Sequence, residues 1–415
     1  MSLEPVPASK VPQELVHQII DDVAQMQQTG VMFTLVSCSL TCRAWLPRSR
    51  YHLFHNVSLD DQRNPETFLK LLKSKSRLGS IAPYVQCLFV VGYGVWVEPW
   101  FNNALPRLTV LTALESLHIQ SNHFENLGDA AITKFFSSFI QLKTMRLDCC
   151  SFSSSDQLSL ILSAITHLQY LELRYVELKP SSTLRQLGNR IHITMVSRTS
   201  FPSQRIPSHL RTLTITSSNF MKEIIQCIQY GDEVSPVNAL QLKIDSGDDI
   251  SAYTKLVRMF GPSLTDLAID CLASGFDYLH VVADDLDLTS LDALRILRLP
   301  LIHCDPDYIQ RAINSVYILA KITSPCIEEV FMKVKYCALA ELDCIDWDAV
   351  GRILARPNFS QMKRVVLSVE VTFPGVSLFQ ARRQTLSWLA MRLPAYYARG
   401  IFDVINYQVT WRELV

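Results

Sequence analysis

One phrase, L-x-x-L-x-L with any aliphatic residue at the L positions, recurs ten times along this chain of 415 residues and limits its possible folds more than any other feature. It reads Val85/Leu88/Val90, Leu114/Leu117/Ile119, Leu142/Met145/Leu147, Leu168/Leu171/Leu173 and Leu210/Leu213/Ile215 in the first half. In the second half it reads Val237/Leu240/Leu242, Leu264/Leu267/Ile269, Leu294/Leu297/Leu299, Ile327/Val330/Met332 and Met362/Val365/Leu367. Successive phrases start 26 to 35 residues apart, except for one step of 42 from Leu168 to Leu210. The alternation at the end of each phrase predicts a short strand with one apolar face. Between phrases, apolar residues fall at helical spacing: Ala131/Phe135/Phe136/Phe139, Leu158/Ile161/Leu162/Ile165, Tyr253/Leu256/Val257/Phe260 and Ile309/Ile313/Val316/Ala320. A strand and a helix in roughly 30 residues cannot enclose a core, so neighbouring units must stack. Strands running in the same direction then form one curved parallel sheet with helices outside, an α/β solenoid.

A doubly wound nucleotide-binding fold also alternates strands and helices. No G-x-G-x-x-G or G-x-x-x-x-G-K-[ST] follows any strand here, however, and glycine totals 13. The period resembles that of leucine-rich repeats. Asn122 and Cys150 fill the ninth position, where a polar side chain satisfies loop backbone groups, but other units lack it, so the repeats are degenerate. The 42-residue step contains Lys179 to Pro207, rich in Ser, Thr, Pro and Arg and read as a projecting loop. Leu378 to Arg392 reads as a helix with Trp388 and Leu389 inward. Ile401 to Val409 reads as an edge strand, and together they would cap the array.

Composition narrows the function. Hydrophobic residues are 48% of the chain and charged residues 19%, which excludes wholesale disorder. Lys+Arg and Asp+Glu are 39 each, so no global charge draws the chain to nucleic acid or an anionic membrane. Eleven cysteines without a Cys-x-x-Cys pair read as reduced core thiols in a cytoplasmic or nuclear protein. The start lacks a signal-peptide pattern, and the longest apolar-rich stretch, Cys87 to Val97, is about half a membrane span.

Candidate chemistry is sparse. Cys38 and Cys42 have no His or acid beside them, and Cys149 and Cys150 are adjacent in a strand and face opposite ways. His52 and His55, the acidic groups Asp245/Asp248/Asp249 and Asp284/Asp285/Asp287, and the basic run Lys70/Lys73/Lys75/Arg77 read as structural or solvated. The expectation is a binding protein that performs no bond chemistry and needs no cofactor or metal.

Before residue 56 the periodicity is helical. Pro12 to Gln25, Leu35 to Cys42 and Trp45 to Phe54 read as three short helices, with Leu15, Ile19, Ile20 and Val23 on one face of the first. Val11-Pro-Gln-Glu-Leu15, Ile19-Ile20, Leu35 and Cys38-Ser-Leu-Thr-Cys-Arg-Ala-Trp45 resemble an F-box. Val11 stands for the usual Leu and Thr41 for the usual Val. Leu46 to Phe54, the strand at Asn56 to Leu59 and Ile81-Ala-Pro-Tyr-Val85 are similar to fungal F-box proteins with irregular leucine-rich repeats.

The resemblance implies an organisation: residues 1–10 as a flexible start, 11–55 as a three-helix F-box, 56–376 as a leucine-rich-repeat-like solenoid, and 377–415 as a capping helix and tail. It also implies a function, that of substrate receptor in a Skp/cullin/F-box ubiquitin ligase. The Skp-type adaptor, and through it a cullin, would bind at Val11, Pro12, Leu15, Ile19, Leu35, Cys38, Cys42 and Trp45. An unknown protein target would lie on the exposed sheet face, on residues alternating with the buried ones: His118, Gln120, Arg146, Asp148, Tyr170, Glu172 and Arg174, then Gln241, Lys243, Asp270, Arg298 and Lys333. Arg146 and Arg174 are expected side by side. The competing reading is a repeat scaffold whose F-box serves an assembly other than a ligase.

Overall fold

A computed structural model of the chain describes residues 12–26, 30–60, 65–73, 80–92, 99–178, 207, 209–216, 221, 224–225, 237–244, 250–271, 284–304, 309–371 and 378–406. Val11, Lys75, Arg77, Asp245, Asp248, Asp249 and the Lys179 to Pro207 excursion, save Pro207 itself, lie outside these residues. The chain divides into two compact units, Met1–Ser151 with Ala164–His167, and Phe152–Ser163 with Leu168–Val415.

The first unit opens with α1 (Gln13–Gln25), α2 (Val31–Thr41) and α3 (Leu46–Phe54). Val16, Ile20 and Leu35 form their core, with Val23, Ala24, Val31, Trp45 and Leu53 packed around it. The inward stripe of α1 is therefore Val16/Ile20/Val23, while Leu15 and Ile19 point outward and are about half exposed. A step of one residue turns the side chain by about 100° on a helix, so two adjacent apolar pairs cannot share one face. Gly30 opens α2 at φ 121°, a conformation that suits glycine. Asp21 ties α1 to α3, accepting from Arg48 Nη2 at 2.7 Å and meeting His52 Nε2 at 2.7 Å.

The chain continues through β1 (Asn56–Asp60), α4 (Pro65–Lys73), β2 (Cys87–Val91), α5 (Pro99–Leu108), β3 (Ser116–Gln120), α6 (Asp129–Ser137) and β4 (Thr144–Asp148). The four strands pair in parallel, one after another. Leu59, Val90, Ile119 and Leu147 share one register row and are buried. Beneath them Phe101, Phe124, Phe135, Phe136 and Phe139 pack with ring edges against neighbouring faces, an arrangement that aromatic quadrupoles favour.

In the rest of the chain come β5 (Ser151–Phe152), α7 (Ser155–Ala164), β6 (Tyr170–Arg174), β7 (Glu177–Leu178), β8 (Thr212–Thr216), β9 (Ala239–Ile244) and α8 (Ile250–Phe260). Then follow β10 (Asp266–Cys271), β11 (Ile296–Arg298), β12 (Ile302–His303), α9 (Ile309–Lys321), β13 (Glu329–Tyr336) and α10 (Trp347–Leu354). The chain closes with β14 (Arg364–Val371), α11 (Leu378–Arg392), α12 (Pro394–Ala398) and β15 (Phe402–Asn406). Strands β6, β8, β9, β10, β11, β13, β14 and β15 form a parallel sheet in chain order. Just ahead of the strands, one carbonyl takes two successive amides of the next repeat. Gln169 O accepts from Arg211 and Thr212, and Asn238 O from Thr265 and Asp266.

All ten phrases lie on strands or at their edges, and the first L of each, from Val85 to Met362, is at most 3% exposed. Leu117, Leu147, Leu173, Leu213, Leu242, Leu267 and Leu299 are buried as expected. Helix α9 departs from the sequence reading: Ala312, Val316 and Leu319 face inward, whereas Ile313 is half exposed. The 312/316/319 stripe is as regular as the 309/313/316/320 stripe, and Ala312 carries too little surface to announce itself. Trp388 and Leu389 are buried, with Trp388 edge-on to Trp347 at 5.4 Å, and β15 pairs along β14 at the sheet edge.

Candidate functional site

Two surfaces invite a partner. The first belongs to the three helices. Of the residues expected there, Pro12, Leu15, Ile19 and Cys42 are exposed and Trp45 is partly buried. Leu35 and Cys38 are 2% and 8% exposed, so they hold α2 onto its neighbours and cannot meet an adaptor. This corrects the sequence reading. Met32, Phe33, Val36 and Leu40, which that reading missed, are exposed instead, Phe33 at 82% and Leu40 at 79%. Helix α2 reads VMFTLVSCSLT, apolar on every side, and periodicity cannot choose an inward face on such a helix. Beside it runs a groove of about 510 Å³ lined by Val36, Leu40, Leu46, Leu53, Phe54 and Leu71, among others.

The second surface is the face of each sheet opposite the helices. In the first unit Phe89, His118 and Arg146 share a register row, with Phe89 edge-on to His118 at 5.5 Å. Gln120 and Asp148 share the row that follows. Arg146 lies on β4 of the first unit and Arg174 on β6 of the second.

In the second unit Glu172 accepts from Tyr170 Oη at 3.1 Å, and Arg174 Nε and Lys243 Nζ stand 3.7 and 3.9 Å from it. Arg298 pairs with Asp266 at 2.8 Å and lies 4.4 Å over the Phe331 ring. Lys333 Nζ holds both oxygens of Asp270, at 3.0 and 3.2 Å. Burial pushes the Lys333 ammonium below its ordinary pKa, and Asp270 pulls it back up.

Asp148, Glu172 and Lys333 were expected to be exposed and are not: they are 7%, 3% and 5% exposed. Alternation assigns a side chain to a face; it does not say how far longer neighbours cover it. Glu172 lies under Tyr170, Arg174 and Lys243, which satisfy its charge while shielding it from water.

Several groups with chemical potential turn out to be structural. Ser121, Cys149 and Tyr175 each follow a strand and adopt φ of 54°, 52° and 49°. After the first two of these turns, Asn122 Nδ2 donates to Gln120 O at 2.8 Å, and Cys150 Sγ donates to Ile119 O at 3.4 Å. These are the ninth positions read from the sequence. Burial pushes the Cys150 thiol up to about 12, so it stays protonated and unreactive. Cys149 is exposed beside it, facing the other way.

A Ser–His–carboxylate cluster that the sequence reading missed joins Ser151, His123 and Glu125. Ser151 Oγ is 2.7 Å from His123 Nδ1 and donates to Glu125 Oε2 at 2.5 Å. Ser151 is 2% exposed and gives its proton to the acid, so its oxygen is neither accessible nor activated by the imidazole. Among the described residues no three His, Cys, Asp or Glu side chains are placed to hold a metal ion, and no helix is long and apolar enough to cross a membrane.

A family model for the Leucine Rich Repeat matches residues 142–164, which span β4 and α7. No curated protein matches the chain. Among solved structures, the chain is similar to the leucine-rich repeat-containing protein LegL7 from Legionella pneumophila, with 13% identity, 82% of this chain and 98% of that one covered, and a TM-score of 0.42. It is also similar to the structure of the Rad7 and Elc1 complex in yeast, with 12% identity, 95% and 92% covered, and a TM-score of 0.32. Residues 142–164 thus match one leucine-rich repeat, and the phrase at Leu142/Met145/Leu147 within them recurs on other strands. Stacked parallel strands present a long row of side chains.

Proposed function

We propose that this chain is the substrate receptor of a Skp/cullin/F-box ubiquitin ligase in the cytoplasm or nucleus. In this reading the three N-terminal helices are an F-box that binds a Skp-type adaptor, and the repeats hold a protein target. The observation that carries the reading is the apolar outer surface of the first two helices. Leu15, Ile19, Met32, Phe33, Val36 and Leu40 are all at least 44% exposed, while the small core beneath them is already complete without them. Large apolar side chains left exposed together on two short helices mark a protein interface. It coincides with the stretch whose sequence resembles an F-box.

The receptor performs no bond chemistry. It holds target lysines near a ubiquitin-charged enzyme brought by the cullin arm, and so raises their effective concentration. Affinity purification of the tagged chain with the proteasome inhibited should recover a Skp-type adaptor and a cullin. Recovery of neither from cells that express both would sink the proposal.

A further inference from the structure

We infer that Cys304 and Cys344 are a peroxide-sensitive dithiol, two free thiols that the fold holds in contact and that close to a reversible disulfide. The site lies in the second unit and is independent of what the repeats bind. Strand β12 pairs with β13 through Ile302/Val334 and His303/Lys335, and the next amide, that of Cys304, donates to Lys335 O at 2.8 Å. This lays Cys304 beside Tyr336, the last residue of β13, and both are buried. Past Tyr336 the chain runs through Cys337, whose amide donates to Glu341 Oε2 at 2.7 Å, into the short 3-10 helix Leu339–Cys344. Leu342 O accepts from Trp347 Nε1 at 2.8 Å and so pins that helix to the first residue of α10. Two cysteines 40 residues apart in sequence thereby meet on anchored backbone, and their thiols are hydrogen-bonded to each other.

The two thiols are unequal. Cys304 is 1% exposed, whereas Cys344 is only partly buried. Cys304 donates its S–H to the Cys344 sulfur, and this bond holds the Cys344 thiol below its ordinary pKa, with burial and the Glu341 and Asp343 carboxylates opposing. The same bond, followed by burial, pushes the Cys304 thiol up. Thiolate character and access set the rate of oxidation, so Cys344 is the sulfur that meets the oxidant. It attacks one oxygen of hydrogen peroxide: an S–O bond forms, the O–O bond breaks, and the departing hydroxide becomes water with the proton that Cys344 released. The Cys304 sulfur then attacks the sulfenic sulfur of Cys344: the S–S bond forms, the S–O bond breaks, and the second hydroxide takes the Cys304 proton. The two thiols together give up two electrons and two protons, and the peroxide is reduced to two waters. Cys304 needs no access to solvent for its step, because its electrophile is the neighbouring sulfur and contact replaces a bimolecular encounter. The bond joins the end of β12 to the helix ahead of α10 and so cross-links two successive repeats.

The test uses the full-length chain, reduced, desalted and exposed to hydrogen peroxide, after which free thiols are alkylated and the protein is digested with trypsin for mass spectrometry. Peptides 299–311 and 336–352 should appear joined, at a mass two hydrogen atoms below their sum, and dithiothreitol should separate them. Because peptide 336–352 also holds Cys337, the same digest of Cys337→Ser should still give the joined pair, and Cys344→Ser should lose it. The bond should form at least about tenfold faster in the folded chain than in urea. Cys304→Ser should leave the sulfenic acid on Cys344 unresolved and raise its labelling by a dimedone probe. If that buried substitution fails to fold, Cys344→Ser and the wild-type digest decide the matter without it. Full alkylation of both cysteines after peroxide, a link that Cys344→Ser retains or Cys337→Ser loses, or a bond that forms as fast in urea overturns the inference.

Discussion

Asp270→Asn isolates a well-shielded charge pair of the second unit. The side chains of Lys333 and Asp270 are 6% and 18% exposed, and their charged atoms are 3.0 Å apart. Taking the carboxylate away leaves an ammonium in a site too dry to solvate it, a change that costs about 3–5 kcal/mol in comparable buried pairs. The new amide still offers one carbonyl acceptor, so about 3 kcal/mol is expected at neutral pH.

The pH dependence follows from direction alone. Burial already lowers the Lys333 pKa, and the lost carboxylate was raising it, so the variant's pKa falls further. Between that folded value and the ordinary lysine value of about 10.4, the unfolded chain binds more protons than the folded one, and stability rises with pH. The variant's deficit should therefore shrink as pH goes from about 7 towards 10. Urea unfolding followed through Trp347 and Trp388 reads both quantities. Removing both partners, as Asp270→Asn with Lys333→Met, should restore most of the loss. A deficit below about 1 kcal/mol, or one that does not change with pH, refutes this account of the pair.

Two more outcomes test the frame. In Gly92→Ala the new Cβ would meet the Ser121 carbonyl oxygen closer than side chains tolerate, so the variant should lose about 1–3 kcal/mol in a urea melt. Asp21, held down to about 2 first by its hydrogen bond to Arg48 and then by His52, should stabilise the three-helix module above the ordinary carboxylate pKa and lose that contribution as pH falls from about 4 to 2. Accordingly, Asp21→Asn should lower amide protection of α1 by about 1 kcal/mol at pH 7, a value reduced for the partial exposure of the pair, and by only a small remainder near pH 2, where the folded carboxyl is half protonated.

The repeat array was legible because its signal is redundant. Each L position must be buried for the units to stack, so Leu114, Leu168 and Leu294 announce themselves through their spacing alone. Facing is harder to read where apolar residues surround a helix. On α1 both Leu15/Ile19 and Val16/Ile20 fit a helical stripe, and only the neighbouring helices decide which pair goes inward. On α2 the exposed Phe33 and Leu40 and the buried Leu35 and Cys38 look alike in sequence. For the sheet face, period two places Glu172 and Lys333 on the correct side. Their burial depends on what Tyr170, Arg174, Lys243 and Asp270 do in space, and the reach of Lys333 to Asp270 depends on where β11 ends.

The claim that the first three helices recruit an adaptor is tested most directly by mixing the purified full-length chain with a purified Skp-type adaptor and measuring mass by light scattering during gel filtration. The wild-type chain should form a one-to-one complex, and Leu15→Glu with Ile19→Glu, which alters exposed side chains and leaves the Val16/Ile20/Leu35 core in place, should elute apart from the adaptor. A wild-type chain that elutes alone, or a double variant that binds as well as wild type, would contradict the account.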